Sequence, residues 1–360
     1  MADPTATTAR VLSFADAVIE AISEAMERDP SVITMGVSVD DPLGTRGSTG
    51  LVEKFGKARV FGTPLSEDGM AGVAIGAAMA GMRPLQVHGR LDFALLSMNS
   101  LVNVGAKVRG MYGGAVGGVP ITVRATIGRS WGQGAQHSQG LHSIFAHIPG
   151  LRVVMPSTPE DAKGAMLWAL RESKDPVIFI DHRMLHKTTG LVPAIPVAAC
   201  DPENGWRRNT LGDDLTIVAL SYMVVEARRA VDHLLTLCIA CSLFDPMWIR
   251  PLPVMPAVRE HVKKSGRLLV VDCGWPTYGF SAEVVAQVVE ASGGRLRMAT
   301  RIGFAETVCP TAHNLEALYY PTAETIAAKA YEMVTGEPMP KVPGFEAAGA
   351  PEVAGFRGPF

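Results

Sequence analysis

Two patterns of apolar positions alternate along the chain. Phe14, Val18, Ile19, Ile22 and Met26 recur at helical spacing, and Asp29-Pro30 closes the run. Ser31 to Gly36 then reads as a strand. Short apolar runs also predict strands at Val60 to Gly62, Leu85 to His88, Ile121 to Ala125, Arg152 to Met155 and Val177 to Ile180. Helical stretches lie between most of them, including Val73 to Met82. Ser157-Thr158-Pro159-Glu160-Asp161 offers a hydroxyl cap, a proline in the first turn and then acids. That order predicts a helix start, and the helix continues through Arg171. The alternation predicts an α/β fold, a mostly parallel sheet covered by helices.

A second alternating block follows. Its strands are expected at Leu215 to Leu220, Ala240 to Phe244, Leu268 to Asp272 and Leu296 to Ile302. Its helices are expected at Val224 to Leu235, Ala257 to Ser265, Ser281 to Ala291 and Ala323 to Val334. The expected organisation is a disordered start at 1–10, a first domain at 11–190 and a polar, proline-bearing linker at 191–208. A second domain at 209–335 and a Pro/Gly-rich tail at 336–360 complete it. No short repeat of the solenoid kind is present.

Composition narrows the function classes. A chain of 360 residues, 48% hydrophobic and 19% charged, can bury two cores. A net charge of −2 gives no electrostatic reason to bind nucleic acid or an anionic membrane. Met1 to Arg10 is polar and lacks the apolar core of a signal peptide. The longest apolar run, Met70 to Met82, is short of the about 20 residues that cross a bilayer. Five scattered cysteines, at 200, 238, 241, 273 and 309, suit a reducing cytoplasm. Cys238 and Cys241 have C-x-x-C spacing, but no second pair is near. Leu235 to Phe244 reads as a buried strand, so both are expected to act as small hydrophobes. His182 and His186 are spaced for a metal, yet no cysteine or carboxylate motif accompanies them, and no metal is expected there.

Candidate chemistry starts at Glu67, in Phe61-Gly62-Thr63-Pro64-Leu65-Ser66-Glu67-Asp68-Gly69-Met70-Ala71-Gly72. Taken alone, the carboxylate either complements a helix dipole or meets a ligand at a helix start. A second element is Arg83-Pro84-Leu85-Gln86-Val87-His88, leading into Asp92-Phe93. A third holds Gly132-Gln133-Gly134-Ala135-Gln136-His137-Ser138-Gln139, then Phe145-Ala146-His147-Ile148-Pro149-Gly150-Leu151, then Met155 to Gly164. His137 lies in a glycine-rich loop, which suits an active-site approach rather than a core strand. Gly274-Trp275-Pro276, Gly279 and Ala282-Glu283 form a fourth.

In order and spacing, these elements resemble the beta subunits of the decarboxylase components of 2-oxoacid dehydrogenases, within the transketolase-like superfamily. The resemblance covers about residues 10–335. It implies two doubly wound domains, a transketolase-like pyrimidine-binding domain and a transketolase C-terminal-like domain. It implies thiamine diphosphate as cofactor. Glu67 takes the place of the glutamate that hydrogen-bonds the pyrimidine ring and controls its tautomer. Phe93 matches the aromatic packed on that ring. His137 matches a substrate-facing histidine that assists proton transfer, work suited to an imidazole. His142 and His147 are expected to pack or hydrogen-bond near the following helix.

The chain carries no Gly-Asp-Gly and following asparagine of the kind that holds magnesium and diphosphate. The resemblance therefore implies a separate alpha-type chain that holds the magnesium, an alpha2beta2 assembly, and a lipoyl acyltransferase as a further partner. Departures from the common pattern are Gly36-Val37-Ser38, Arg90-Leu91 and Asp245-Pro246-Met247. Arg129, Ser130, Trp131 and His88 are expected to add basic and aromatic groups near the pocket. These changes bear on substrate and docking. Two alternatives remain: half of a two-chain transketolase-like or acyloin-forming enzyme, and a non-catalytic binding or assembly subunit.

Overall fold

The computed structural model describes residues 9–41, 48–115, 117–129, 132–193, 202, 206–252, 256–341 and 345. The chain divides into two compact units. One is Met1–Ile127 with Ile144–Asn204, and the other is Gly128–Ser143 with Gly205–Pro359.

In the first unit, β1 (Arg10–Ser13) pairs antiparallel with β8 (Thr189–Val192). The main sheet uses β2 (Val32–Gly36), β3 (Val60–Gly62), β4 (Arg83–His88), β5 (Thr122–Ile127), β6 (Arg152–Val154) and β7 (Val177–His182). Its own strands run in the order β6-β7-β5-β4-β2-β3, all parallel. Every residue of β2 and β7 is buried, as expected when helices cover both faces of a parallel sheet.

The helix Phe14–Arg28 starts where the Asp16 N–H donates to the Ser13 hydroxyl at 3.1 Å, and it buries Phe14, Val18, Ile22 and Met26. It packs on the helix Pro159–Arg171, which opens at a Thr158 cap with proline in its first turn. Between these helices the buried Lys163 ammonium donates to Glu20 at 2.6 Å. Within the sheet, Arg124 of β5 meets Asp181 of β7 at 2.7 Å with both side chains buried. Gly36 ends β2 because a Cβ there would run into the Val87 carbonyl oxygen of β4.

In the second unit, the strands are β9 (Arg207–Thr210), β10 (Leu215–Ala219), β11 (Cys241–Asp245), β12 (Trp248–Arg250), β13 (Arg267–Val271) and β14 (Met298–Ile302). A five-stranded sheet has the order β14-β13-β10-β11-β9, parallel except for β9 at the edge. The helices Tyr222–Thr236, Pro256–Ser265, Phe280–Ser292 and Ala323–Thr335 surround it in sequence. The last opens in a capping box between Thr322 and Thr325. The α/β class and parallel sheets read from the sequence are thus present.

Several local expectations are corrected. The helix placed at Val73 to Met82 spans Glu67–Met79. Gly81 takes a left-handed φ of 97°, which stops it early. Leu235 to Phe244 is not one strand: the preceding helix runs to Thr236, and Cys238 is exposed. Strands β8 and β9 occupy both ends of the stretch read as a linker. Residues 1–8 and most of the tail after Lys341 lie outside the described residues, while Arg10 already belongs to β1. Among the described residues, no helix is long and apolar enough to cross a membrane.

Candidate active site

Glu67 is the first residue of its helix and is half-buried. Two serines pin this helix start from behind. The Ser97 hydroxyl donates to the Glu67 carbonyl at 3.0 Å, and the Ser100 hydroxyl donates to an Asp68 carboxylate oxygen at 2.7 Å. Ser97 closes a short 3-10 turn, and Ser100 lies in a π-helix, Asn99–Gly105. Both serines are buried, so the orientation of the Glu67 backbone is set by packed structure rather than by a free loop. Strands β2, β3 and β4 end nearby in sequence order at Gly36, Gly62 and His88, with the Thr63 N–H donating to the Gly36 carbonyl at 3.1 Å. The C-terminal edge of a parallel α/β sheet is where ligands bind.

His88 was expected as a basic group, and here the structure corrects the sequence. The side chain is only 6% exposed. Burial pulls its pKa down to about 4, and the nearby Glu67 carboxylate opposes this without offsetting it. The imidazole is therefore neutral at physiological pH. Its Nε2 finds no hydrogen-bond partner among the described residues. Phe93 follows on the helical turn Leu91–Ala94, and its ring is 38% exposed. A ring left this open suits contact with a ligand or a partner better than a core role.

His137 belongs to the second unit and is half-buried. Its loop is built onto that unit at several points. Gly132 and Gly134 adopt positive φ and sit against Thr311, where a Cβ would collide. Gly140 lies against the Cys273 carbonyl. The buried His142 ring meets Asp272 at 2.8 Å through Nε2. The Phe280 N–H donates to the Ser143 hydroxyl at 2.8 Å, and the other Asp272 oxygen accepts from the Ser281 N–H at 3.0 Å. Arg129 stacks over the Tyr320 ring at 5.3 Å, on an aromatic cluster with Phe304 and Tyr319. Ser130 and Trp131 lie outside the described residues. Glu67 and Phe93 both belong to the first unit, and His137 is positioned by the second.

The remaining candidates have structural partners. His182 Nδ1 accepts from the Met184 N–H at 3.2 Å, while His186 Nε2 meets Asp181 at 3.1 Å, so the two rings serve different contacts. His142 hydrogen-bonds as expected, whereas His147 is exposed. Burial pushes the Cys241 thiol up to about 12, which makes it inert. No group of three or more metal-ligating side chains occurs among the described residues. Sequence reasoning missed the serine supports, the π-helix and the His142–Asp272 pair. Only the serines left a signal, two hydroxyls three positions apart at Ser97 and Ser100, after Phe93.

The first unit thus carries a carboxylate opening a small-residue helix beside the strand ends of a parallel sheet, and the second unit adds a mostly parallel α/β sheet. Residues 10–188 match the transketolase pyrimidine-binding domain, and residues 205–326 match the transketolase C-terminal domain. The chain is 38% identical over 345 residues to the beta subunit of acetoin:2,6-dichlorophenolindophenol oxidoreductase from Cupriavidus necator, covering 91% of this chain and 99% of the relative. It is 36% identical over 322 residues to the mitochondrial pyruvate dehydrogenase E1 component subunit beta-1 of Arabidopsis thaliana, covering 88% of each. A split-gene transketolase, solved as an inactive beta4 tetramer, shares the fold with a TM-score of 0.71 at 19% identity, covering 90% of this chain and 98% of that one. The chain belongs to the family of 2-oxoacid dehydrogenase E1 beta subunits and their acetoin-oxidising relatives.

Proposed function

We propose that the chain is the pyrimidine-side subunit of a thiamine diphosphate-dependent 2-oxoacid dehydrogenase, working with a separate alpha chain. The observation that carries this reading is Glu67: a half-buried carboxylate at a helix start braced by Ser97 and Ser100. The residues fit the pyrimidine half of the cofactor. Glu67 offers an acceptor for a ring nitrogen, Phe93 offers a partly open ring face, and His88 offers an unpartnered Nε2. When bound, thiamine diphosphate supplies a carbon nucleophile that attacks a carbonyl.

The chain's own contribution is tautomer control, geometry and proton handling. Glu67 would hydrogen-bond the ring nitrogen and pass a proton to and from it, which is how it would control the tautomer. Phe93 limits water at the ring face. His137 moves a proton at its imidazole on the substrate side. Magnesium and the diphosphate fall to the alpha chain, because this sequence has no motif for them. Leu65, Val73 and Leu96 stay 57% or more exposed around the Glu67 helix. Apolar surface of that kind supports a partner packed there, and an alpha2beta2 assembly is the form we infer. A lipoyl acyltransferase would be the acyl acceptor, and a reducing cytoplasm the setting.

The similarity to acetoin-oxidising beta subunits favours a second reading, in which an acyloin rather than a 2-oxoacid is the donor. Both readings use the same residues. The test is the purified alpha–beta complex, assayed on pyruvate, branched 2-oxoacids, acetoin and ketose phosphates. Glu67→Gln should leave assembly intact and lower turnover by about 10²-fold or more, the scale of lost general acid–base assistance. Near-wild-type turnover in that variant would remove Glu67 from the mechanism.

A further inference from the structure

Leaving an imidazole nitrogen buried without a partner is costly, because the folded state loses a water contact and gains nothing. His88 is in that position at the end of β4, 6% exposed, with Nε2 unpartnered among the described residues. Two residues earlier on the same face of the strand, the 3% exposed Gln86 leaves its Oε1 unpartnered as well. β3 and β4 flank β2 and reach its end together, with Gly62 and Val87 both opposite Gly36, so His88 lies on the same sheet edge as the turn that leads into the Glu67 helix, and the Glu67 carboxylate acts on its ring. A polar group kept dry beside the proposed ligand carboxylate, with one free ring nitrogen, is arranged for a ligand rather than for the fold.

We infer that His88 is a further ligand-contacting residue of the Glu67 site, whose imidazole hydrogen-bonds through Nε2 to the nitrogen-bearing edge of an aminopyrimidine-type heterocycle. The inference rests on the proposed function and deepens it. Neutrality matters to the chemistry. A protonated imidazole would compete with the heterocycle for Glu67, whereas a neutral ring can donate to a ring nitrogen or accept from an exocyclic amine. Burial keeps the ring in that neutral form. Asp68, the adjacent acid on the helix, is exposed and accepts from Ser100, so its carboxylate is engaged on the other side.

The experiment uses the assembled alpha–beta complex with thiamine diphosphate as the probe, comparing wild type with His88→Leu and His88→Gln. Calorimetry reads cofactor affinity, and thermal unfolding without cofactor reads stability. His88→Leu removes the polar atoms at similar volume. It should weaken cofactor binding about three- to ten-fold, the worth of one hydrogen bond. The cofactor-free complex should be as stable as wild type or more so, because an unsatisfied buried group has been removed. His88→Gln, which keeps a donor and an acceptor, should recover part of the affinity.

Unchanged affinity in His88→Leu, with or without a raised KM, would overturn the inference. So would a lower unfolding temperature in both variants at unchanged affinity, because that describes a structural histidine. If the wild-type complex itself binds no thiamine diphosphate, the proposed function fails, and the His88 assignment falls with it. The wild-type control therefore separates the two failures.

Discussion

At the scale of single residues, the buried Arg124–Asp181 pair and the loop histidine make contrasting predictions. Burial alone would raise the Asp181 carboxyl, but Arg124 and His186 overcome it and hold the group well below the usual carboxylate range. The sign follows. A depressed folded-state pKa contributes stability that is fully present above the unfolded value of about 3.9 and is lost as pH falls through the folded one. Asp181→Asn strands the Arg124 charge and should destabilise the protein by roughly 3–5 kcal/mol, with a flatter acid limb in denaturation curves recorded against pH. His137→Ala, by contrast, should leave stability and cofactor affinity alone. It should lower turnover of the alpha–beta complex by about 10²–10⁴-fold. Lost cofactor affinity with normal chemistry at saturation would make His137 a cofactor-site residue instead. Of these residues, Glu67, Phe93 and His137 could be proposed from the sequence because they stand in ordered motifs. The neutrality of His88 and the Arg124–Asp181 pair were not. The first depends on burial, and the second joins side chains 57 positions apart.

At the scale of elements, the strands that are short apolar runs between turn-forming residues were legible to within two residues at either end, whereas β1, β8, β9 and β12 were not. Val60 to Gly62 is identical in sequence and structure. The π-helix Asn99–Gly105 was not legible, because no side-chain pattern separates one extra residue per turn from an ordinary helix. Nor was the β1–β8 pair, whose strands lie at opposite ends of the first unit. The π-helix nevertheless bears on the candidate site, since it brings Ser100 to Asp68, the neighbour of Glu67. Gly150 supports it: φ there is +94°, and a Cβ would run into the Ala106 carbonyl just past the π-helix. Lys107 also reaches the Pro149 carbonyl at 3.3 Å. Gly150→Ala should therefore cost about 1–3 kcal/mol of stability from backbone strain alone. It should also lower turnover in the assembled complex by displacing the serine supports of Glu67. Unfolding curves and steady-state rates on the same preparation check both. Lost stability with unchanged turnover would show that the π-helix braces the fold and not the site.

At the scale of the whole molecule, the sequence showed two α/β blocks but not the excursion of Gly128–Ser143, which leaves the first block and packs within the second unit. Linear reading cannot see this, because the anchors are tertiary: His142 on Asp272, Ser143 on the Phe280 amide, and Gly140 against Cys273. What each unit lacks is more telling. Neither carries a motif for magnesium and diphosphate, and the Glu67 helix presents exposed Leu65, Val73 and Met79. The isolated chain should therefore bind thiamine diphosphate weakly, with or without magnesium. Tight binding should appear only on adding the alpha chain. The ring contacts proposed for Glu67 and His88 would be worth about 1 kcal/mol each, far short of the about 8 kcal/mol of micromolar affinity. The diphosphate, with its magnesium, must supply most of the remainder. Calorimetry on the chain alone and on the reconstituted complex measures the difference directly. Micromolar binding by the isolated chain would mean that a phosphate site exists within it, and the case for an obligatory partner would fail.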